Sequence, residues 1–181
     1  MSDPLLRLTD VELRLRDKRV IKGINLSIQP KEFHTLAGEN GAGKSSLLYC
    51  VTGIDLPASG CISFLGNSVS ENRKERFLRM GYVGSEREKH SPFLKVDRLL
   101  SLTSKLYETW DASYVGGLLK RLNVDTSKRL SSLSTGESAK VRLVKALGFK
   151  PDLLILDELT ANLSAESADL VTREVLQQLD E

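Results

Sequence analysis

The chain has 181 residues, 40% of them hydrophobic, and its 26 Lys and Arg against 24 Asp and Glu leave a formal net charge of +2. This length suffices for one α/β domain, with or without a small appended lobe. So balanced a charge does not call for nucleic acid as a partner, and no apolar run approaches a membrane span or a signal peptide. We therefore expect a cytosolic chain.

The two cysteines have no metal-ligand spacing. In a reducing compartment, Cys50 and Cys61 are expected to be small core or partly buried residues without chemistry.

The first predicted elements are β-strands. Apolar and polar residues tend to alternate over 6–15, and after an Asp-Lys turn the apolar residues of 24–28 share one face, which predicts a hairpin. Residues 33–37 lean apolar and predict a strand. A Pro-Gly turn before residues 61–65 predicts another short strand.

Residues 38–45, Gly-Glu-Asn-Gly-Ala-Gly-Lys-Ser, match the phosphate-binding pattern G-x-x-x-x-G-K-[ST] between a predicted strand and a predicted helix. Glycines let backbone N–H groups approach a triphosphate, and the helix begins with its positive dipole end there. Lys44 is expected to reach the β and γ oxygens, and Ser45 to offer its hydroxyl to Mg²⁺. The alternative is a Gly-rich turn before a helix. The predicted nucleotide contacts are Asn40, Gly41, Ala42, Gly43, Lys44, Ser45 and Ser46.

The middle of the chain turns helical. A short exposed helix is predicted over 71–79, a strand over 80–84 entering a charged loop, and a helical insert over 96–122 with leucines at three- and four-residue steps. A Gly/Ser-containing stretch then precedes a helix that begins after Gly136 and ends at Gly148.

Residues 153–158, Leu-Leu-Ile-Leu-Asp-Glu, predict a buried parallel strand that ends in two carboxylates. If it lies beside the phosphate-loop strand, Asp157 reaches the Mg²⁺ shell and Glu158 can orient or deprotonate an attacking water. The alternative is a strand followed by an acidic turn. A last helix is predicted over 164–181.

In this order of motifs the chain resembles the ATPase domain of ATP-binding-cassette (ABC) proteins over essentially its whole length. Residues 133–137, Leu-Ser-Thr-Gly-Glu, are similar to the family signature L-S-G-G-Q, and 153–158 to its Walker B strand with the catalytic glutamate. Residues 107–111 further resemble small bacterial exporter ATPases.

The resemblance implies an α/β P-loop NTPase fold of ABC type in one domain. Its core α/β lobe, with an antiparallel β part, covers 1–86 and 149–181, and a small helical lobe covers 87–148. It also implies a head-to-tail dimer with a second, identical or different, ABC ATPase domain. Each ATP then lies between Lys44 of one subunit and Ser134 and Gly136 of the other, so that ATP closes the dimer and hydrolysis releases it.

Several residues depart from the family pattern. Leu15 stands where an aromatic residue often stacks on adenine, and Ser85 where a glutamine usually senses Mg²⁺ and the membrane partner. Leu159 replaces a proline and Ser164 an aspartate. Neither His34 nor His90 matches the family's switch histidine, which would follow the last helix, so we expect a C-terminally truncated chain that binds nucleotide better than it hydrolyses it.

The resemblance leaves three functions open. The first is an Mg-ATP-hydrolysing subunit that drives export by a separate transmembrane permease, peripheral on the inner face of the cell membrane. The second is an ATP-dependent dimerisation switch with little turnover, motivated by Ser85, Ser164 and the absent histidine. The third, a soluble family member acting in DNA repair or on ribosomes, is disfavoured because a long coiled-coil insert, a second cassette and a basic excess are all missing.

Overall fold

The structure is a computed structural model, and it describes residues 3–15, 18–71, 73–84, 93–159 and 163–180. The chain divides into two units, Met1–Met80 and Gly81–Glu181. This boundary differs from the lobes implied by the resemblance, with a core of 1–86 and 149–181, and that division stays a prediction.

The first unit contains a four-stranded antiparallel sheet with the order β2-β1-β3-β4. Strands β1 (Leu6–Leu15) and β2 (Lys18–Ile28) pair as the predicted hairpin. Strand β3 (Ser59–Phe64) pairs with β1 and confirms the second short strand, and β4 (Asn67–Ser68) completes the edge.

A β-bulge explains why the apolar residues of β1 change phase. Leu6 and Leu8 are buried two residues apart, but the next buried residue is Val11. The register shifts between Leu8 and Val11, where Asp10 adopts a left-handed backbone (φ 47°) and exchanges two hydrogen bonds of 2.9 and 2.8 Å with Asn25. The extra residue turns Val11 back to the buried face.

Helix α1 (Lys44–Thr52) ends at Gly53, as predicted, and a second short helix, α2 (Arg73–Arg79), confirms the prediction for 71–79. Burial raises the pKa of the Cys50 thiol in α1 to about 11. Cys61 is exposed in β3, so the prediction of a core or partly buried position is wrong for this residue.

The predicted strand over 33–37 is also wrong. No strand includes these described residues, and Phe33 is 58% and Leu36 44% exposed. A strand is stabilised by pairing its N–H and C=O groups with a neighbour, and the four-stranded sheet of this unit does not include the segment.

The second unit contains strands β5 (Met80–Val83) and β6 (Leu153–Leu156), which pair with each other. Both strands were predicted. The backbone of β5 comes close to its neighbours at Gly81, where an added Cβ would lie 3.0 Å from Leu154 and 3.1 Å from Pro151.

Four helices pack around the core of this unit: α3 (Val96–Ser104), α4 (Ala112–Arg121), α5 (Thr135–Leu147) and α6 (Ala165–Asp180). The largest fully buried side chains of this core include Leu118, Leu122, Leu143 and Leu147. Helix α5 begins at Thr135, so the prediction that it starts after Gly136 is wrong by two residues, because Ser134 caps it.

The helical insert is broken into α3 and α4 by a connector, residues 105–111, that packs on the C-terminal end of α5. The rings of Tyr107 and Phe149 stack with centroids 4.0 Å apart, and the Thr109 hydroxyl donates to the Phe149 carbonyl at 2.6 Å. The Asp111 N–H donates to the Gly148 carbonyl at 2.8 Å. Because Trp110 lies so close that a Cβ on Gly148 would sit 2.6 Å from its ring, only glycine fits there.

Helices α4 and α6 are joined by an ion pair between Arg121 and Glu174. The Nε and Nη2 atoms of Arg121 donate to the two carboxylate oxygens of Glu174, the second at 2.8 Å. The glutamate side chain is only 4% exposed. A buried carboxylate depends strongly on such a partner.

We predict that Arg121→Ala lowers the free energy of unfolding by about 2–4 kcal/mol, because it leaves a buried carboxylate unpaired. Urea denaturation measures this. The matched control is Arg173→Ala, since the Arg173–Asp169 pair is exposed on both sides and such pairs contribute about 0–1 kcal/mol. Equal losses in the two variants would contradict the prediction.

Candidate functional site

The phosphate loop, residues 38–45, leads into the N-terminus of α1. No side chain caps this end, and no acidic residue lies in its first turn. The first hydrogen bond within the helix runs from the Leu47 N–H to the Gly43 carbonyl at 2.8 Å, so the N–H groups of residues 44–46 precede it. Uncapped donors at the positive end of a helix suit an anion.

Lys44 lies over this loop. Its Nζ donates to the Gly38 carbonyl at 2.8 Å and to the Glu39 carbonyl at 2.9 Å. These carbonyls satisfy the ammonium, and a phosphate would have to offer it stronger, charged acceptors. The structure therefore places the predicted lysine on the loop that was predicted to hold the phosphates.

The turn from the loop into α1 depends on Gly43. Its backbone is left-handed (φ 92°), a conformation that is costly for residues with a Cβ. An added Cβ would also lie 3.3 Å from Val20 and 3.4 Å from Ile21 of β2. The glycine thus lets the loop lie against the sheet.

The two carboxylates after β6 face different environments. Asp157 is buried, its N–H donates to the Val83 carbonyl at 2.8 Å, and its Oδ2 accepts from the Tyr82 hydroxyl at 3.4 Å. Glu158 is exposed and has a left-handed backbone (φ 53°). The sharp turn puts one carboxylate on protein partners and leaves the next accessible to solvent.

The predicted metal ligands are Ser45 and Asp157, which belong to different units. Among the described residues, no group of three or more His, Cys, Asp and Glu could hold a metal ion by itself. A hydroxyl and a carboxylate are ligands that Mg²⁺ accepts together with water and phosphate oxygens. The donor types therefore fit Mg²⁺ bound with a nucleotide.

The signature segment, residues 133–137, forms the start of α5. Ser134 is the N-cap: its Oγ accepts from the Glu137 N–H at 3.2 Å, and its own N–H donates to Glu137 Oε2 at 2.8 Å. The hydroxyl of Ser134 also hydrogen-bonds the Glu137 carboxylate, so a ligand would have to compete with Glu137 for its proton. Gly136 lies in the first turn of α5.

Sequence reasoning missed the role of Glu137. Its Oε1 accepts from Lys128 Nζ at 2.7 Å, and this hydrogen bond, with those from Ser134, lowers the pKa of Glu137 to about 2. The spacing Ser-x-x-Glu at 134–137 is a capping-box pattern and could have predicted the first contact. Nothing in the sequence pointed to Lys128, nine positions away.

A cleft of about 420 Å³ opens at this helix start. It is lined by Ser134, Thr135, Gly136, Glu137, Lys140, Leu163, Ser164 and Ser167. Ser164 accepts from the Ser167 N–H at 3.3 Å and so caps the start of α6. Aspartate and serine are both good N-caps, which accounts for serine at this position.

The remaining predicted residues have different outcomes. Ser85 and His90 lie outside the described residues, and so does the Leu15 side chain, although its backbone ends β1. The roles assigned to Ser85 and Leu15 stay predictions. His34 Nε2 lies 2.9 Å from Glu32 Oε2 on the surface, and Leu159 is buried.

In the part of the chain that the structure describes, no helix has both the length and the apolar character needed to cross a membrane.

Residues 21–161 match the ABC transporter family. The zinc import ATP-binding protein ZnuC of Buchnera aphidicola is 35% identical over 158 residues, which cover 86% of this chain and 60% of ZnuC. The phosphonates import ATP-binding protein PhnC of Alcaligenes faecalis is 34% identical over 176 residues, 88% of this chain and 63% of PhnC. This chain thus spans about 60% of the length of these relatives.

Among solved structures, the dimeric bacterial ABC transporter cassette MJ0796 superposes with a TM-score of 0.82 at 20% identity, covering 97% of this chain and 83% of that one. This likeness confirms the predicted fold class, an α/β fold of ABC ATPase type.

We predict that Gly43→Ala lowers the free energy of unfolding in the absence of nucleotide more than Gly41→Ala does. Both glycines are left-handed, so each substitution costs about 1–2 kcal/mol of backbone strain. Only the alanine at 43 also presses on Val20 and Ile21, because a Cβ at 41 meets nothing within 4 Å. Urea denaturation of both variants compares the losses, and an equal or larger loss for Gly41→Ala would count against the contact.

Proposed function

Because the chain belongs to the ABC transporter family, we propose that it is the ATP-binding and ATP-hydrolysing part of a transporter whose membrane-spanning permease is a separate protein. The observation that carries this proposal is the uncapped start of α1 with Lys44 over the phosphate loop. The permease would hold the chain on the inner face of the cell membrane, and nucleic acid has no part in this function.

Binding follows from the loop. The N–H groups of the loop and of the first turn of α1 would donate to the phosphate oxygens, and Lys44 would exchange the Gly38 and Glu39 carbonyls for the β and γ phosphates. The absence of an acidic residue in the first turn of α1 supports this, since a carboxylate there would compete with the nucleotide. Base binding at Leu15 would rest on aliphatic packing.

Hydrolysis would use the two carboxylates differently. Glu158 is exposed, so it can accept a hydrogen bond from an attacking water and orient or deprotonate it. The Tyr82 hydroxyl and the backbone of Val83 fix Asp157. Ser45 and Asp157 would hold Mg²⁺, which when bound supplies positive charge at the phosphates. Ser85 would stand at the loop that follows β5.

The nucleotide would be shared with a second ABC ATPase domain. In the head-to-tail dimer, the cleft at the start of α5 would receive a phosphate of the partner's ATP, with the Ser134 hydroxyl and the N–H groups around Gly136 as donors. Lys140 lines the same cleft and makes no ion pair among the described residues. These donors and this cation favour an anionic ligand.

The names of the two relatives bear on the direction of transport and on the transported substrate. Both are named as import proteins, one for zinc and one for phosphonates. These names favour import and give no support to the predicted export. Because the two cargoes differ chemically at nearly the same identity, neither cargo is assigned to this chain.

We predict that Lys44→Ala weakens nucleotide binding by about 1.5–3 kcal/mol, because it removes a charge-assisted contact to the phosphates. Titration with a fluorescent ATP analogue measures the affinity. Lys105→Ala is the control, since this exposed lysine at the end of α3 makes no ion pair among the described residues. Unchanged affinity in Lys44→Ala would refute the placement of the phosphates.

We predict that Glu158→Gln in the full-length protein encoded by the gene abolishes Mg-ATP turnover but leaves ATP affinity nearly unchanged, because a neutral amide cannot take up a proton. Phosphate release measures the turnover. Glu166→Gln, an exposed glutamate in the first turn of α6, is the charge-matched control.

Turnover that persists in Glu158→Gln would remove the proposed base. Nucleotide binding without turnover in the unmodified protein would favour the ATP-dependent dimerisation switch instead.

A further inference from the structure

The signature segment contributes a carboxylate, Glu137, to the cleft that would receive a phosphate under the proposed function. Glu137 is the third residue of α5 and lines the cleft together with Ser134 and Gly136. An anionic side chain beside a helix N-terminus opposes the binding of a second anion there. Some other group must offset this charge if the cleft is to accept a phosphate.

The contacts of Glu137 identify that group. Both carboxylate oxygens are engaged, Oε2 by the Ser134 N–H at 2.8 Å and Oε1 by Lys128 Nζ at 2.7 Å. The side chains of Lys128 and Glu137 are 42% and 36% exposed, so the pair lies at the surface rather than in the core. The pKa of Glu137, lowered to about 2 by these hydrogen bonds, keeps the carboxylate ionised at physiological pH.

The cleft is bordered by a few charged side chains of opposite sign, so the loss of one of them changes its net charge. Glu137 and Lys140 line it with opposite signs, and Lys128 adds a positive charge through its ion pair. Asp125 is a charged neighbour of Lys128 whose Oδ1 accepts from the N–H and hydroxyl of Ser127 at 2.9 and 2.7 Å, but it does not line the cleft. Glu137, Lys140 and Lys128 together carry a net charge of one positive unit. Without Lys128, the charges of Glu137 and Lys140 cancel.

We propose that Lys128, which lies outside the signature segment, is the positioning residue that makes this cleft accept a phosphate of the partner's ATP. It neutralises Glu137 and fixes the carboxylate on the Ser134 N–H. Lys128 does not touch the nucleotide itself. This inference rests on the proposed function, because it assumes that ATP closes a dimer through the signature segment.

A double-mutant experiment tests the dependence of Lys128 on Glu137. The full-length protein carrying Glu158→Gln, which we expect to bind ATP without hydrolysing it, is titrated with ATP, and sedimentation velocity gives the ATP concentration at half-maximal dimerisation. Lys128→Ala, Glu137→Gln and the double variant are compared with this parent, and Lys105→Ala is the charge-matched control. Urea denaturation checks that Lys128→Ala is folded, as expected for a surface ion pair.

We expect Lys128→Ala to raise the half-maximal ATP concentration about tenfold, because it removes the positive charge paired with Glu137 beside the phosphate. Glu137→Gln should not raise it, since the charge that needs compensation is gone. Once Glu137 is neutral, Lys128 should be dispensable. The half-maximal ATP concentration of the double variant should therefore lie within about twofold of that of Glu137→Gln alone.

Two results would overturn the proposal while the proposed function stands. In one, the parent dimerises with ATP and Lys128→Ala behaves like Lys105→Ala. In the other, the double variant is as impaired as Lys128→Ala, so that Lys128 acts other than through Glu137. A parent that binds ATP but stays monomeric would overturn the proposed dimer and this proposal with it.

Discussion

The first N–H groups of a helix have no partner inside the helix, and this constraint organises both candidate sites of the chain. Helix α1 leaves these groups uncapped and begins with a left-handed glycine, so its start is open to a ligand. Helix α5 satisfies two of them with Ser134 and Glu137 and leaves those of Thr135 and Gly136 beside a cleft. At the start of α1, the unpaired N–H groups are thus available to an anion. At the start of α5, two of these groups already donate to protein side chains.

Much of the fold follows from the sequence because its signals are local. Alternation predicts the β1–β2 hairpin, and Gly53 and Gly148 mark where α1 and α5 end. The errors arise where pairing or packing over a distance decides. Residues 33–37 have the composition of a strand but no strand neighbour in the sheet of their unit, and the connector at 105–111 breaks a helical pattern because it packs on Phe149.

The site shows the same division. A fixed pattern of glycines with Lys44 and Ser45 predicts a phosphate loop, since the chemistry and the spacing are local. The buried state of Asp157 and the exposed state of Glu158 could not be predicted, because they depend on a left-handed backbone at one residue. Lys128 could not be predicted either, since its importance comes from a contact across nine positions with a residue that the family pattern fills with glutamine.

The attachment of the connector to the end of α5 has a mechanical consequence. Asp111 is the N-cap of α4, and its N–H donates a hydrogen bond to the carbonyl of Gly148, the C-cap of α5. The start of α4 therefore lies against the end of α5. Helix α5 has 13 residues, which makes it a rigid rod of about 20 Å. A tilt of about 10° at its Ser134 end would move the far end by about 3–4 Å over that length. In the proposed dimer, helix α5 would then act as a lever arm, with a nucleotide phosphate at one end and the first turn of α4 at the other.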